Sequence, residues 1–359
     1  MTKHDTMHAA PLLLALLPAV AAGAFSPGEA ARVDRIVRYV MQDRAIAGCA
    51  AGIRRGDDGS HYERAYGFAD SAHARPLRVE TAFAIGSLSK TILAASVLDL
   101  ARRGEMDLDA PVIRYLPQSG IGAATTVREL LNQTAGLPDY TQFPDFDRFS
   151  REPVAPETLL AAAESRPVAF AAGTDWAYSN TNYLALGLAV AAATRRPLSS
   201  WLHDDVFAPL GMRATKTWSP GTFELDRAAG SVPWGSPSLS FAAGDLESNV
   251  PDLERFAGAL YGGRFAGMLP LMMRPTILTD GSSVPYGMGL FAARPFGFDA
   301  GVQNGFVTGF SSALAFVPSR KLAAVVLCNA DEVDLMPLAK SLVAAGLDVE
   351  EAHPQNATP

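Results

Sequence analysis

A serine and a lysine stand three positions apart, as Ser87 and Lys90, at the start of the segment GSLSKTILAASVLDLARRG. If this segment is a helix, residues i and i+3 share a face about 5 to 6 Å apart, so the lysine amine can reach the serine hydroxyl. A serine hydroxyl is a poor nucleophile until a base removes its proton. A lysine amine serves as that base only if burial or the positive end of a helix lowers its pKa well below about 10.4. The spacing therefore suggests an activated nucleophile; the ordinary alternative is that Ser87 caps the helix and Lys90 is solvated.

The residues around this pair bear on which serine would react. Gly86 allows a sharp turn into the helix and leaves the Ser87 N–H free to point toward a substrate carbonyl oxygen. Ser89 lies two residues from Ser87, off its helical face, and we expect no catalytic role for it. Lys90 is the one lysine of the chain that follows a serine by three residues.

A second polar segment, DWAYSNTNYLALG, carries Tyr178 and Asn180 just before a helical pattern. A phenol near a lysine can relay a proton to a leaving group, and an asparagine amide can hold a substrate amide or ester. The alternative interpretation is an Asx-type turn that caps the following helix.

A third segment, GVQNGFVTGF, places Gln303, Asn304, Gly305 and Phe306 at the start of a late strand. A glycine before an exposed backbone N–H on a strand edge is a common way to supply an oxyanion donor. Alone, the same segment would be interpreted as a β-bulge.

The elements that would position these residues follow from capping, periodicity and turn signals. A capping box of Ser26 and Glu29 around Pro27 predicts an N-terminal helix, followed by two strands joined by a turn around residues 57–59. Residues 87–284 read mainly as short helices, strands return late, and a final helix runs roughly from Leu335 to Ala345. Strands at both ends predict one sheet lobe, 25–86 with 285–359, beside a mainly helical lobe, 87–284. A ligand cleft would lie between the lobes.

Composition limits the class of function. The chain has 359 residues, 48% hydrophobic and 19% charged, and a formal net charge of -7. This is a globular composition without the basic footprint that nucleic acid or anionic lipid requires, so we expect a small-molecule or peptide partner. Residues 1–24 combine Lys3, a broken apolar run and a small-residue site ending at Ala24, which predicts a signal peptide. We therefore expect a periplasmic or secreted protein without a membrane span in its mature part.

Taken in order, the three motifs resemble those of the serine β-lactamase-related hydrolases. This superfamily includes class C β-lactamases, D-alanyl-D-alanine carboxypeptidases, D-aminopeptidases and family VIII esterases. The similarity runs from about Ala47 to Asn329 through FAIGSLSKTI, TVRELLNQTAGLPDY, WAYSNTNYLALG, PLGM and GFSSALAFVP. It implies an α/β (α+β) fold: a five-stranded antiparallel sheet flanked by helices, with an all-helical lobe beside it.

The resemblance also implies a role for each candidate residue. Ser87 would be the acylated nucleophile, Lys90 its general base, Tyr178 the proton shuttle and Asn180 a substrate-orienting residue. The oxyanion hole would be formed by the backbone N–H groups of Ser87 and Phe306.

The third motif departs from the family pattern, which usually has Lys or His, a small residue and then Gly. Here Gln303, Asn304 and Gly305 occupy these positions. A neutral amide cannot replace the charged hydrogen bond to a substrate carboxylate, which is worth about 1.5 to 3 kcal/mol. We therefore expect a neutral ester or amide substrate, held between these three residues and a cleft wall that includes Tyr140. The other predicted wall residues are Asp139, Phe143 and Phe146.

Cys49 and Cys328 are too few for a disulfide scaffold and have no metal-ligand spacing. By themselves they could be buried as small hydrophobic side chains. By the resemblance, the first and last strands are antiparallel neighbours, which implies a disulfide between them.

Other motifs give weaker signals. Lys216, Thr217 and Trp218 mimic a Lys-Thr-Gly box but lack the glycine, and His203 is interpreted as a surface or capping residue. No histidine spacing suggests a metal, no Gly-x-Ser-x-Gly elbow is present, and we expect no cofactor.

Three functional hypotheses stay open at this stage: a hydrolase that works through an acyl-enzyme, a transacylase that uses the same serine, and a catalytically silent ligand-binding relative. The sequence leaves the oligomeric state open.

Overall fold

The computed structural model describes residues 25–56, 59–70, 75–144, 146, 153–218, 228–230 and 237–347. The predicted signal peptide, the tip of the first hairpin at 57–58 and part of the loop after Tyr140 lie outside the described residues. Within the described part, no helix is both long and apolar enough to cross a membrane.

The described α-helices follow one another in this order: α1 Pro27–Asp43, α2 Leu88–Arg102, α3 Val127–Leu131, α4 Pro156–Glu164, α5 Asn180–Thr194, α6 Leu198–Leu202, α7 Ala208–Leu210, α8 Val250–Gly262, α9 Leu269–Met272 and α10 Met336–Gly346. A π-helical turn, His203–Phe207, joins α6 to α7.

The described strands are β1 Gly48–Arg55, β2 Ser60–Gly67, β3 Phe83–Ala84, β4 Lys216–Thr217, β5 Leu246–Ser248, β6 Thr276–Ile277, β7 Ser283–Val284, β8 Phe291–Ala293, β9 Ala300–Val307, β10 Phe310–Val317 and β11 Leu322–Cys328.

The predicted N-terminal elements are present. Helix α1 begins with the predicted capping box, in which the Glu29 N–H donates to Ser26 Oγ at 3.2 Å and the Ser26 N–H to Glu29 Oε2 at 2.6 Å. Its apolar stripe buries Val33, Ile36 and Val37. Strands β1 and β2 then pair antiparallel from Gly48 with Gly67 to Arg55 with Ser60.

The main sheet is antiparallel in the order β2-β1-β11-β10-β9-β8. The structure thus confirms a helix-flanked sheet built from both ends of the chain, but it corrects the expected strand number from five to six. The additional strand is the edge strand β8, whose three residues pair with the beginning of β9, from Ala300 to Val302. Among the described residues, β9 therefore has a free outer edge beyond Val302, and Gly305 on this edge lies against the segment that leads into α2.

Helices cover both faces of the sheet. One apolar core contains side chains of α1, α10 and one face of the strands, including Val37, Leu342 and Val326. The other core contains α2, α5, α8 and the opposite face, including Val325 and Leu327. This is why every residue of β11 is buried and why the strand reads as a continuous apolar run.

A disulfide joins the first and last strands of the main sheet. Cys49 and Cys328 are paired in register between β1 and β11, and their sulfur atoms are bonded. The bridge links positions 279 residues apart and is fully buried.

A second, three-stranded sheet in the order β3-β5-β4 lies at the entrance to α2. Strand β3 pairs with β5, and the Ile85 N–H that follows it donates to Leu246 O at 3.0 Å. The chain therefore enters α2 from a fixed strand. Helix α2 itself is buried from Leu88 to Leu100, so its first turn is anchored within the protein interior.

Candidate active site

Two glycines bring the start of α2 against the free edge of β9. Gly86 has a φ of +51°, and a Cβ added there would lie 2.9 Å from Phe306 N. A Cβ added to Gly305 would lie 2.2 Å from Ile85 O and 3.0 Å from Ser87 N. Only residues without a side chain permit this approach. It brings the backbone N–H groups of Ser87 and Phe306 together, as an oxyanion hole requires.

The two serines of the segment GSLSK, Ser87 and Ser89, differ in exposure. Ser87 is partly exposed and makes no capping hydrogen bond with its side chain. Ser89 is 1% exposed; its hydroxyl donates to Gly86 O at 2.7 Å and accepts from the Leu246 N–H at 3.2 Å. The difference favours Ser87 as the reactive hydroxyl and gives Ser89 a structural role.

Lys90 is fully buried, which overturns the alternative of a solvated lysine. Its Nζ lies 3.0 Å from Ser87 Oγ, 2.8 Å from Asn180 Oδ1 and 2.6 Å from Ala243 O. The last two are carbonyl oxygens, which only accept hydrogen bonds. A neutral amine would therefore donate its two hydrogens to them and direct its lone pair at the Ser87 hydroxyl. This is the arrangement that a general base needs.

Asn180, the first residue of α5, is held in one orientation. Its Oδ1 accepts from Lys90, and its Nδ2 lies 3.2 Å from Asp139 Oδ2 and 3.4 Å from Thr141 Oγ1. Asp139 Oδ1 also caps the 3₁₀ turn Tyr140–Gln142 by accepting from the Thr141 N–H at 3.1 Å. The sequence suggested Asp139 only as a cleft wall, although the Asp before this turn is a recognisable cap signal.

Tyr178 lies next to Lys90 in an aromatic cluster. Lys90 Nζ is 4.9 Å from the centre of the Tyr178 ring, which stacks on Phe291 at 6.5 Å and meets Tyr286 edge-on at 6.2 Å. The Tyr178 hydroxyl is buried and has no hydrogen-bond partner among the described residues. Tyr178, whose hydroxyl can both donate and accept a proton, thus lies near Lys90. Its role as a proton shuttle stays a prediction.

Two of the predicted substrate contacts have buried side chains. The Tyr140 side chain is 1% exposed, because its hydroxyl donates to Leu239 O and its ring packs 6.2 Å from Phe146. Its side chain therefore belongs to the buried core. Gln303 is also 1% exposed, and its Nε2 donates to Asn304 O at 2.9 Å, so its amide is held against the backbone of its own strand. Asn304 and Phe306, which is 41% exposed, are the accessible residues of this motif.

Asp245 is a buried carboxyl near Lys90 that the sequence analysis did not single out. Burial raises the pKa of Asp245 to about 7, although the N–H groups of Ala242 and Asp245 and the charge of Lys90 lower it. Asp245 follows Ala243, which binds Lys90, by two residues. Its position in the sequence, between Gly244 and Leu246, has no spacing signature that would mark it as part of a site.

Of the weaker motifs, the segment 216–218 lies beside the site, since the Trp218 N–H donates to Asp245 O at 2.7 Å. Lys216 and Thr217 form β4 and pair with β5, where Lys216 Nζ lies 3.4 Å from Glu247 Oε1. His203 is an exposed residue beside Asp204. The described part of the chain holds no group of three or more residues able to bind a metal ion.

The sequence profile of the Beta-lactamase family matches residues 33–347. The chain belongs to the Beta-lactamase family. This match confirms the predicted resemblance. At the level of the family, it also confirms that the chain is an enzyme of the β-lactamase-related serine hydrolase class.

Three curated relatives of this β-lactamase-family chain differ in their named functions. It is 26% identical over 284 residues to the putative penicillin-binding protein PbpX of Bacillus subtilis (strain 168), covering 77% of this chain and 69% of that protein. It is 34% identical over 199 residues to the esterase EstB of Burkholderia gladioli, covering 51% and 50%. It is 26% identical over 340 residues to a D-aminopeptidase of Brucella ovis (strain ATCC 25840 / 63/290 / NCTC 10512), covering 90% and 64%. The chain thus spans between half and about two thirds of the length of these relatives.

Among solved structures, the octameric penicillin-binding protein homologue from Pyrococcus abyssi matches with a TM-score of 0.80 at 22% identity. The match covers 92% of this chain and 79% of that one. At this identity the similarity concerns the fold.

Proposed function

We propose that this chain is a serine hydrolase that forms an acyl-enzyme at Ser87 and cleaves a small ester or amide. The observation that carries the proposal is the 3.0 Å contact between Ser87 Oγ and a fully buried Lys90 Nζ whose two other partners can only accept hydrogen bonds. Such an amine is poised to take the hydroxyl proton.

The proposed reaction has two acyl-transfer steps. Lys90 takes the proton of Ser87 while Oγ bonds to the substrate carbonyl carbon, and the carbonyl electron pair moves onto the oxygen held by the N–H groups of Ser87 and Phe306. The bond to the leaving group then breaks, and that group leaves with the proton that Lys90 returns through Tyr178. Water attacks the acyl-enzyme by the same route, giving its proton to the base and releasing the acid and the free serine.

The expected substrate is an ester or amide without a carboxylate at the third-motif position. Gln303 supplies no positive charge there, and a substrate carboxylate would lose a charged hydrogen bond. The named activities of the esterase and D-aminopeptidase relatives agree with an ester or amide substrate. We therefore expect weak or absent β-lactamase activity.

Replacing Ser87 and Ser89 one at a time tests which serine is the nucleophile. We expect wild-type protein to hydrolyse p-nitrophenyl butyrate and to gain the mass of one acyl group, and Ser87→Ala to lose both. Ser89→Ala is the matched control: it removes a neighbouring buried hydroxyl, and it should still be acylated. Acylation of the Ser87→Ala variant would rule out Ser87 as the nucleophile. If the wild type forms no adduct with esters, penicillins or D-Ala-D-Ala mimics, the protein is a catalytically silent relative. If an added alcohol or amine takes the acyl group in preference to water, the enzyme is a transacylase.

We also propose that the protein is exported, with residues 1–24 removed. The Cys49–Cys328 bridge supports this because structural disulfides persist mainly in oxidising compartments. The mass of the full-length gene product recovered from its native compartment should correspond to a chain that begins near Phe25; an intact Met1 there would contradict export by cleavage.

A further inference from the structure

One buried hydroxyl connects the two backbone segments that carry the proposed oxyanion donors. Ser312 lies on β10, is 1% exposed, and donates from Oγ to Ile85 O at 2.8 Å. The same Oγ lies 3.4 Å from Gly305 O. Ile85 comes two residues before Ser87, and Gly305 comes directly before Phe306.

The contact is unusual because the two segments do not belong to one sheet. Ile85 continues from β3 of the small sheet, whereas Gly305 belongs to β9 of the main sheet. Gly305 lies opposite Ser312 in the pairing of β9 with β10. The hydrogen bond from the Ser312 hydroxyl therefore ties Ile85 to a residue whose position is set by the main sheet. Hydrogen bonds of this kind hold groups at the short separations that glycines at 86 and 305 permit.

We propose that Ser312 is a positioning residue that sets the separation of the Ser87 and Phe306 N–H groups. The proposal rests on the proposed function, since it concerns the oxyanion hole of the acyl-transfer reaction. Removing the hydroxyl should leave the fold intact, because Ile85 O also accepts from the Leu88 N–H at 3.2 Å. The loss should appear in the transition state, where the developing oxyanion needs both donors at hydrogen-bond distance.

The neighbouring serine provides a matched control. Ser311 is also 1% exposed on β10, donates to Ala330 O at 2.9 Å and accepts from the Val333 N–H at 3.0 Å. Successive residues of a strand point to opposite faces, so Ser311 faces away from the site. Ser311→Ala removes at least as many hydrogen bonds as Ser312→Ala but none at the oxyanion hole.

The experiment compares both variants of the full chain in hydrolysis of p-nitrophenyl butyrate and in binding of phenylboronic acid, which forms a tetrahedral adduct on a reactive serine. Ser312→Ala should lower kcat by about 10- to 100-fold with little change in KM, and it should weaken phenylboronic acid binding by a similar factor. Ser311→Ala should change either quantity by less than about threefold while lowering the melting temperature at least as much. Ser312→Cys, which keeps a weak donor of similar size, should lie between wild type and Ser312→Ala.

Equal effects of Ser311→Ala and Ser312→Ala on kcat would overturn the positioning role, as would a Ser312→Ala loss confined to KM or to thermal stability. Both results leave Ser87-dependent hydrolysis by wild type intact, so they are distinguishable from failure of the proposed function. If wild type shows neither turnover nor a boronate adduct, the proposed function fails and the role of Ser312 fails with it.

Discussion

At the scale of single residues, the most informative feature is the set of hydrogen bonds around Lys90, which leaves the lone pair of a neutral amine only one direction in which to point. Ala243 O and Asn180 Oδ1 both accept, so the remaining direction is toward Ser87. This depends on the orientation of the Asn180 amide. If the amide rotated by half a turn, its NH₂ group would face the amine and the two donors would repel each other.

We predict that Asp139 fixes that orientation. Asp139→Ala should lower kcat by about tenfold or more, because a hydrogen bond to a charged group contributes about 1.5 to 3 kcal/mol and its loss frees the Asn180 amide to rotate. Asp139→Asn keeps an acceptor oxygen and should recover part of the rate. The measurement is steady-state kinetics on p-nitrophenyl butyrate.

Thr141→Val is the control for Asp139, because it removes only the longer 3.4 Å contact to Asn180 and should leave most of the rate. An Asp139→Ala variant as active as wild type would show that the orientation of the Asn180 amide does not depend on Asp139.

The sequence predicted the residues that meet at this site better than it predicted their neighbours. The i,i+3 spacing of Ser87 and Lys90 is local, and the family resemblance supplied Tyr178 and Asn180, which the structure brings to Lys90. The carbonyl of Ala243 could not be foreseen, since every residue has a carbonyl and only the fold selects one. Tyr140 was expected in a cleft wall because it lies in a loop, but its hydroxyl finds a backbone acceptor, Leu239 O, inside the protein.

At the scale of elements, α8 packs on β1 through a buried carboxyl. Gly52 of β1 makes room for it, since a Cβ there would lie 2.5 Å from Glu254 Oε1. Glu254 is 4% exposed, and Oε1 has no hydrogen-bond partner among the described residues. Burial, together with the nearby Glu63, raises the pKa of Glu254 well above its ordinary value of 4.5.

This pKa shift predicts how stability depends on pH. The native state holds the Glu254 proton at pH values where the unfolded chain has lost it, so the contribution of Glu254 to folding stability is most favourable below about 4.5 and declines as pH rises through neutrality. Glu254→Gln should therefore raise the free energy of unfolding at pH 8 by on the order of 2 kcal/mol and have little effect at pH 4. Chemical denaturation at the two pH values measures this.

Glu157→Gln serves as the control, because it removes an exposed glutamate in the first turn of α4. Loss of that charge at the helix N-terminus should slightly lower stability at pH 8, which is the opposite of the effect expected for Glu254→Gln. A Glu254→Gln variant less stable than wild type at pH 8 would show that the native carboxylate is charged and satisfied.

Elements with strong local signals were predicted well. The capping box of α1 and the β1–β2 hairpin depend on residues close in sequence, and both are present. The expected count of five strands came from the family resemblance, and the structure adds β8, a three-residue edge strand that pairs with the beginning of β9. The short strands β3, β4 and β5 have too few residues to show alternation.

At the scale of the whole molecule, the site exists only where distant parts of the chain meet. Ser87 and Lys90 come from the first third, Asn180 from the middle, and Phe306 from the end. The main sheet holds the ends of the described chain together, with β1 paired to β11. Whatever stabilises that pairing also stabilises the frame on which Phe306 is held.

The Cys49–Cys328 disulfide should stabilise this frame by restricting the unfolded chain. It closes a loop of 279 residues, and bridges across long loops contribute about 2 to 5 kcal/mol. The Cys49→Ser/Cys328→Ser double variant should therefore melt several degrees below the oxidised wild type, while reduced wild type should melt close to the variant. Hydrolysis at 25 °C should be retained, since the cysteines lie in the core on the face covered by α1 and α10 and make no contact with Ser87. Thiol titration of denatured, unreduced wild type should find no free thiol. Two free thiols would contradict a stabilising bridge, as would equal melting temperatures for the oxidised wild type and the double variant. Either result would show that hydrogen bonds and packing alone hold the strands together.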